Sequence, residues 1–114
     1  MAATTQRDTG EVRVSDNPDR RRYEIHLDGE LVGFSAYVPR PGLIIFTHTE
    51  VDDVLEGRGL GSRLAREALD DVRARGLKVT PLCPFIAAYI RRQPEYQDLV
   101  EPPETSETTE VQPG

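Results

Sequence analysis

The first half of the chain alternates apolar and polar residues with the period of two that predicts β-strands. Tyr23 and Ile25 share one side of the first clear strand, and Glu24 lies on the other. Asp28-Gly29 follows and is typical of a type I′ hairpin turn, because both central positions of that turn take positive φ. The strands predicted in this way are residues 22–27, 30–38 and 43–51, with a further short strand at 11–15. Short turns between consecutive strands predict an antiparallel meander.

The spacing of apolar residues then changes to that of a helix. The apolar stripe consists of Leu60, Leu64, Ala65, Ala68, Leu69 and Val72. Gly76 stands where a left-handed residue ends a helix, and the apolar run 77–82 predicts a strand that returns parallel to the third one. Pro84 suits the first turn of a second helix over 85–92. The sequence thus predicts an α+β fold, in which an antiparallel β-meander is followed by α-β-α, with the last strand parallel and the helices packed on a mixed sheet.

Length and composition indicate one small domain. The chain has 114 residues, which is enough for a single core. Residues 1–10 and 101–114 are polar and lack periodicity, so we expect both ends to be disordered around a domain at 11–100. The net charge is −6 at pH 7, and the glutamates of the C-terminal segment carry most of it. The nearly neutral body argues against a nucleic-acid binder.

Residue usage also bears on the compartment and on metals. The single cysteine excludes an internal disulfide and fits a reducing compartment. Two histidines and one cysteine at scattered positions support no metal site. The sequence shows neither a signal peptide nor a run of about 18 apolar residues. We therefore expect a soluble cytoplasmic protein without a membrane partner.

Three glycines at alternate positions separate the third strand from the first helix. The loop reads Glu56-Gly57-Arg58-Gly59-Leu60-Gly61. Glycines let a backbone approach a ligand closely, and the free N–H groups at a helix N-terminus favour a phosphate. Ser62 excludes both a P-loop, which needs Lys at that position, and a Rossmann fingerprint, which needs a third glycine there. The loop predicts a phosphate-binding site or, alternatively, a tight strand-to-helix turn without a ligand.

The strand, glycine loop and helix together resemble the GNAT superfamily of acetyl-CoA-dependent N-acetyltransferases. The family signature is Arg/Gln-x-x-Gly-x-Gly/Ala; Gly59 and Gly61 match its glycines, and Glu56 stands at its first position. Residues 81–96, which read PLCPFIAAYIRRQPEY, resemble a small single-domain subgroup of the family.

The resemblance implies a binding mode for acetyl-CoA as the cosubstrate. The pantetheine arm pairs with the backbone of Glu50 and Val51, beside a strand that splays away. The pyrophosphate lies on the backbone amides of the loop, which are those of Gly57, Arg58, Gly59, Leu60, Gly61 and Ser62. The acceptor implied is an amine, either a small molecule or a lysine. The chain has no room for the helices that cover the acceptor side in the family, so that side is either open or completed by a second copy in a homodimer.

Two candidates for proton transfer lie on the third strand. Strict alternation places Ile44, Phe46, His48 and Glu50 on one face of it. Glu50 is then a candidate base acting through water, and His48 is a second one. The alternative is a polar strand face turned to solvent.

Two further candidates lie at the second helix. Cys83 precedes Pro84 at the helix N-terminus, where a thiolate is stabilised; the alternative is a small buried apolar residue. The resemblance implies that Tyr89 is the acid that protonates the CoA thiolate, and the alternative is a tyrosine that packs on the sheet.

Three functions follow from these residues. The first is an N-acetyltransferase that moves acetyl from acetyl-CoA to a primary amine. The second is a CoA-binding or protein-interaction module with little or no transferase activity. The third is a redox-responsive thiol protein based on Cys83.

Overall fold

The fold is a five-stranded mixed sheet with two helices on one face. The computed structural model of the chain describes residues 11–52 and 59–101. Its elements are β1 (Val12–Asn17), β2 (Arg22–Leu27), β3 (Glu30–Arg40), β4 (Leu43–Val51), α1 (Leu60–Ala74), β5 (Lys78–Pro81), α2 (Pro84–Arg92) and the 3₁₀ helix η1 (Pro94–Leu99). The strand order is β1-β2-β3-β4-β5. The first four strands are antiparallel and β5 is parallel to β4, which confirms the predicted fold class.

Local sequence signals set several of these boundaries. Asp28 and Gly29 take φ of 53° and 85° in the β2–β3 hairpin, as the turn prediction requires. Gly76 takes a φ of 73° directly after α1 and ends it. The short strand expected at 11–15 is β1, which runs slightly further, to Asn17. At the other end of the domain, Glu101 donates its N–H to the Val79 carbonyl at 2.8 Å.

The core lies between the sheet and the two helices. Ile25 and Phe46 from the sheet are fully buried against the apolar stripe of α1. The fully buried residues of α1 are Leu64, Ala65, Ala68, Leu69 and Val72, as the helical spacing predicts. Tyr23 ties this helix to the sheet, because its hydroxyl donates to Asp71 at 2.6 Å. The buried apolar stripe and this hydrogen bond therefore position α1 on the sheet.

The opposite side of the sheet, which we call the open face, carries polar and aromatic side chains. Its members include Arg22, Glu24, Phe34, His48 and Glu50, which contact one another across β2, β3 and β4. No helix of the described residues covers them, since α1, α2 and η1 contact one another on the other side. The open face is accordingly the accessible side of the sheet.

A β-bulge interrupts β4 beside β3. Ala36 of β3 pairs with His48, but the next residue, Tyr37, pairs with Phe46. Thr47 is therefore the extra residue, and the alternation of side chains reverses after it. A single extra residue moves all the following side chains to the other face.

The bulge corrects the predicted face of β4. Ile44 and Phe46 point into the core, whereas His48 and Glu50 lie on the open face. The prediction that these four residues share a face was wrong, because strict alternation takes no account of an extra residue. Thr49 takes the helix side instead, where its hydroxyl contacts Ser35.

Candidate functional site

The strands β4 and β5 separate halfway along β4. Parallel pairing ends where Phe46 faces Pro81. The Phe46 carbonyl then accepts the N–H groups of Leu82 at 3.0 Å and Cys83 at 2.9 Å, which turns the chain away from β4. Residues 48–51 of β4 continue to pair with β3, but no described strand pairs with residues 47–51 on the β5 side. We call the space between residues 47–51 and the start of α2 the gap.

The N-terminus of α1 carries no side-chain cap. Its N-cap is Gly59, which takes a φ of 74° and therefore a left-handed conformation. The first turn contains no acidic residue, and the first internal bond runs from the Arg63 N–H to the Gly59 carbonyl at 3.0 Å. The amides of residues 60–62 precede that bond, so they have no partner within the helix. Such an end favours an anion.

The second helix begins beside the first one. Pro84 lies in the first turn of α2 behind the N-cap Cys83, again without a side-chain cap. A Cβ atom added to Gly61 would lie 2.9 Å from the Phe85 Cζ atom, so the two N-terminal turns are in close contact. Both helices therefore begin at the end of the sheet where the gap opens.

Three polar side chains, two of them buried, line the helix side of the gap. The Cys83 sulfur lies 3.1 Å from the Thr49 hydroxyl, and the Thr49 hydroxyl lies 2.9 Å from that of Ser35. Ser35 and Cys83 are almost completely buried. The chain of contacts crosses from β3 over β4 to the start of α2, so it spans the gap where backbone pairing is lost.

The other two strand candidates lie on the open face of β4. His48 Nε2 and Glu50 Oε2 are 2.8 Å apart, and both side chains are more than half exposed. The His48 ring packs near Phe34, with 6.1 Å between the ring centroids. The pair is therefore accessible to a solute on the open face and lies on the opposite side of β4 from Cys83.

A buried carboxylate supports this face. Glu24 is only 8% exposed and accepts hydrogen bonds from Arg22 at 2.8 Å and Asn17 at 3.1 Å. Burial by itself raises the pKa of Glu24, but the hydrogen bonds from Arg22 and Asn17 and the nearby charges outweigh it, so the pKa lies below its ordinary value. The Arg22 guanidinium is held 4.7 Å from the centre of the Phe34 ring. This network fixes Phe34 in place.

Tyr89 lies in the packing between α2, η1 and α1. It is 6% exposed, and its ring centroid is 6.0 Å from that of Tyr96. Burial raises the pKa of Tyr89 above its ordinary value. The charge of Arg66 lowers this pKa and that of Glu95 raises it, and the net shift is upward. None of the hydrogen bonds seen among the described residues joins it to Cys83, Thr49 or the β4 pair.

The structure thus divides the predicted site residues into groups. Cys83 lies on the helix side of the gap, His48 and Glu50 on the open face, and Tyr89 within the helix packing. The predicted pantetheine residues Glu50 and Val51 belong to the unpaired stretch of β4. Of the predicted pyrophosphate residues, Gly59, Leu60, Gly61 and Ser62 begin α1, whereas Gly57 and Arg58 lie outside the described residues, as does Glu56.

Sequence reasoning missed four residues near this site: Ser35, Thr49, Phe34 and Phe85. Ser35 and Thr49 looked like ordinary polar strand positions. Thr49 contacts both Ser35 and Cys83, and it faces them only because of the bulge. Phe85 follows Pro84, and its contact with Gly61 joins residues 24 positions apart. A hydroxyl residue opposite another hydroxyl residue in a predicted β3–β4 hairpin is the one signal that the sequence offered.

Two other kinds of site receive no support from the part of the chain that the structure describes. No three His, Cys, Asp or Glu side chains converge there as a metal site needs. None of its helices is long and apolar enough to cross a membrane.

Comparison with known proteins places this geometry in a family. The sequence profile described as GCN5-related N-acetyl-transferase matches residues 22–99. Protein NATD1 of Mus musculus is 33% identical over 98 residues, which cover 82% of this chain and 88% of that protein. Protein NATD1 of Homo sapiens is 32% identical over 96 residues, which cover 80% and 84%.

A solved structure shares the fold. A GCN5-like protein from Staphylococcus aureus, determined by NMR in solution, superposes with a TM-score of 0.60 over 82% of this chain and 90% of that one, at 24% sequence identity. The sequence match covers most of the folded body. The chain therefore belongs to the GCN5-related N-acetyltransferase (GNAT) family.

Proposed function

We propose that the protein transfers an acetyl group from acetyl-CoA to a primary amine. The observation that carries the proposal is the gap between β4 and β5, which opens after Phe46 beside the uncapped N-terminus of α1. Family membership supports the reaction class. The cytoplasmic location expected from the sequence is part of the same proposal.

The residues at the gap fit acetyl-CoA. The amides of residues 60–62 offer donors to a diphosphate, and Gly59 adds no side chain that would obstruct it. No described strand pairs with Glu50 and Val51 on the β5 side. Their backbone therefore offers the hydrogen-bonding groups of a strand edge, which suit the amides of a pantetheine arm. When bound, acetyl-CoA supplies an activated acyl group.

The two sides of β4 then have different tasks. An amine that approaches from the open face meets Glu50, whose carboxylate takes up a proton from the ammonium group directly or through water. His48 lies 2.8 Å from that carboxylate and orients it. The amine nitrogen forms a bond to the acyl carbon while the carbon–sulfur bond breaks, and the nitrogen then gives up its second proton to water, from which the group that protonates the departing thiolate regains a proton.

The departing thiolate needs a proton on the helix side. Cys83 is the candidate in the gap, because its thiol is hydrogen-bonded to Thr49, which can stabilise the thiolate left behind. Tyr89 is the second candidate, and it serves only if its hydroxyl reaches the gap when acetyl-CoA is bound. Comparing Cys83→Ala with Tyr89→Phe separates the two.

A transfer assay tests the proposal. Purified protein, acetyl-CoA and a panel of primary amines are mixed, and released CoA thiol is measured. We expect turnover, and we expect Glu50→Gln to lower kcat/KM by about 10²-fold or more. The matched control is Glu30→Gln, because Glu30 is an exposed glutamate at the start of β3, and it should leave the rate unchanged.

The alternative is a CoA-binding or protein-interaction module with little or no turnover. The observation in its favour is the open face, where none of the described helices covers the acceptor side of the sheet. Saturable acetyl-CoA binding without turnover on any amine would support this second function and reject the first.

A further inference from the structure

A pocket of about 260 Å³ lies at the end of β3 and β4, beside the open face. Its lining combines apolar residues, among them Leu31, Val32 and Phe34, with the two acidic residues Glu50 and Asp52. We propose that this pocket binds the acetyl acceptor and that the acceptor is a small primary amine bearing an apolar or aromatic group. The inference rests on the proposed acetyl transfer and narrows its substrate.

A β-bulge in β3 creates the pocket. Ile25 of β2 pairs with Gly33 and the next residue, His26, pairs with Leu31, so Val32 is the extra residue. Because of the extra residue, Leu31 and Phe34 face the same side of the sheet although they are three positions apart, opposite His26 and Glu24. Leu31 is 43% exposed, although a large apolar side chain on a strand is usually covered. An apolar ligand group would cover it.

Neighbouring side chains hold two walls of the pocket. The Phe34 ring packs under the Arg22 guanidinium at 4.7 Å, and Arg22 is held in turn by the buried Glu24. On the β4 side, His48 holds Glu50 at 2.8 Å. Fixed walls reduce the entropy lost when a ligand binds.

The chemistry of the lining selects the ligand. The acidic residues Glu50 and Asp52 attract an ammonium group, and the apolar side chains of the lining favour a hydrocarbon or aryl group. The volume is below the ~300–1,000 Å³ of sites for drug-sized ligands, so the ligand is small. A polyamine would bring further charges, which Glu50 and Asp52 attract but which are unfavourable against Leu31, Val32 and Phe34.

The position of the pocket suits transfer at the gap. Glu50 and Val51 line the pocket and also belong to the stretch of β4 that no described strand pairs with on the β5 side. An amine bound at Glu50 is therefore on the strand whose backbone is proposed to hold the pantetheine arm of acetyl-CoA.

A binding experiment tests the pocket without requiring turnover. Methyl NMR spectra of the full chain are recorded while 2-phenylethylamine or spermidine is added. We expect saturable shifts of the Leu31, Val32 and Val51 methyl signals, with 2-phenylethylamine binding at least about tenfold more tightly than spermidine. Equal or tighter binding of spermidine, or shifts confined to other methyl groups, would overturn the proposal.

Two variants sharpen the test. Leu31→Lys puts a positive charge into the pocket at an exposed position and should weaken 2-phenylethylamine binding about tenfold or more. Glu30→Lys adds positive charge at the neighbouring residue, which does not line the pocket, and should leave binding unchanged. Equal effects of both variants would show a general charge effect and reject the pocket.

The transfer assay separates this proposal from the proposed function. Acetylation of spermidine or of a lysine-containing peptide that Leu31→Lys leaves unaffected would keep acetyl transfer and overturn the pocket. Specific binding of 2-phenylethylamine in the pocket without acetylation of any amine would overturn acetyl transfer and leave an amine-binding pocket. If both proposals hold, the wild type acetylates 2-phenylethylamine faster than spermidine, and Leu31→Lys loses this preference.

Discussion

The Cys83 sulfur and the Thr49 hydroxyl lie 3.1 Å apart across the gap between β4 and β5, at residues 34 positions apart in the chain. Thr49 also contacts the fully buried hydroxyl of Ser35. The contact joins the two sides of the gap where backbone hydrogen bonds no longer do so. Thr49 thus holds the thiol that the proposed mechanism uses.

Thr49→Val tests this role. The substitution keeps the shape of the side chain but leaves the buried Ser35 hydroxyl and the Cys83 thiol without this partner, so we expect a loss of about 1–3 kcal/mol in the free energy of unfolding, measured by urea denaturation. The value of kcat should also fall, because the thiol loses the partner that holds it in the gap. Thr47→Val is the matched control, since Thr47 is exposed in the bulge and should change stability by less than about 0.5 kcal/mol. Equal effects of the two variants would contradict the assignment.

Gly61 has a packing role that the phosphate interpretation of the loop did not include. A Cβ atom at Gly61 would lie 2.9 Å from the Phe85 ring, so Gly61→Ala should destabilise the fold by about 1–3 kcal/mol through overpacking. Phe85→Leu makes room and should recover part of that loss in the double variant. Urea denaturation of the two single variants and the double variant measures the coupling. Strict additivity would mean that the two side chains do not interact.

Because of Glu24, we expect the free energy of unfolding to depend on pH in the acidic range. Its pKa is lowered in the folded state by hydrogen bonds from Arg22 and Asn17 that outweigh the effect of burial. A lowered folded-state pKa means that the stabilisation is complete above the unfolded value of about 4.3 and is lost as the pH falls through the lower folded value. Urea denaturation across the acidic range should therefore show a falling free energy of unfolding in the wild type.

Glu24→Gln is expected to be less stable near neutral pH and to lose less of its stability on acidification. Glu30→Gln, at an exposed position, should follow the wild-type curve. A wild-type and a Glu24→Gln curve with the same slope would mean that another carboxylate dominates acid unfolding.

Local patterns in the sequence predicted most of the fold. The Asp28-Gly29 turn, the apolar stripe from Leu60 and the helix end at Gly76 each depend on neighbouring residues, and the structure has them where they were expected. The parallel return of β5 followed from the handedness of crossover connections.

Local patterns could not predict which face of the sheet each site residue occupies. Residues 47–50 are all polar, so their pattern carries no information on which side each one takes, and the bulge at Thr47 reverses them. The contacts of Thr49 with Cys83 and of Gly61 with Phe85 join distant segments, and they appear only when β4, α1 and α2 are packed together. The sequence therefore named candidate groups, but it did not show that His48 and Glu50 lie on the opposite side of β4 from Cys83.

Calorimetric titration with acetyl-CoA tests the central claim, that the N-terminus of α1 and the gap hold this cosubstrate. The wild type is compared with Gly59→Asp, which puts a carboxylate where the diphosphate would lie, and with Gly42→Asp as the matched control. Gly42 has a φ of 72° against 74° for Gly59, and a Cβ atom meets nothing within 4 Å at either position, but Gly42 lies at the opposite end of β4. The account predicts saturable binding by the wild type and by Gly42→Asp, and loss of binding in Gly59→Asp. Equal binding by Gly59→Asp, or no binding by the wild type, would contradict it.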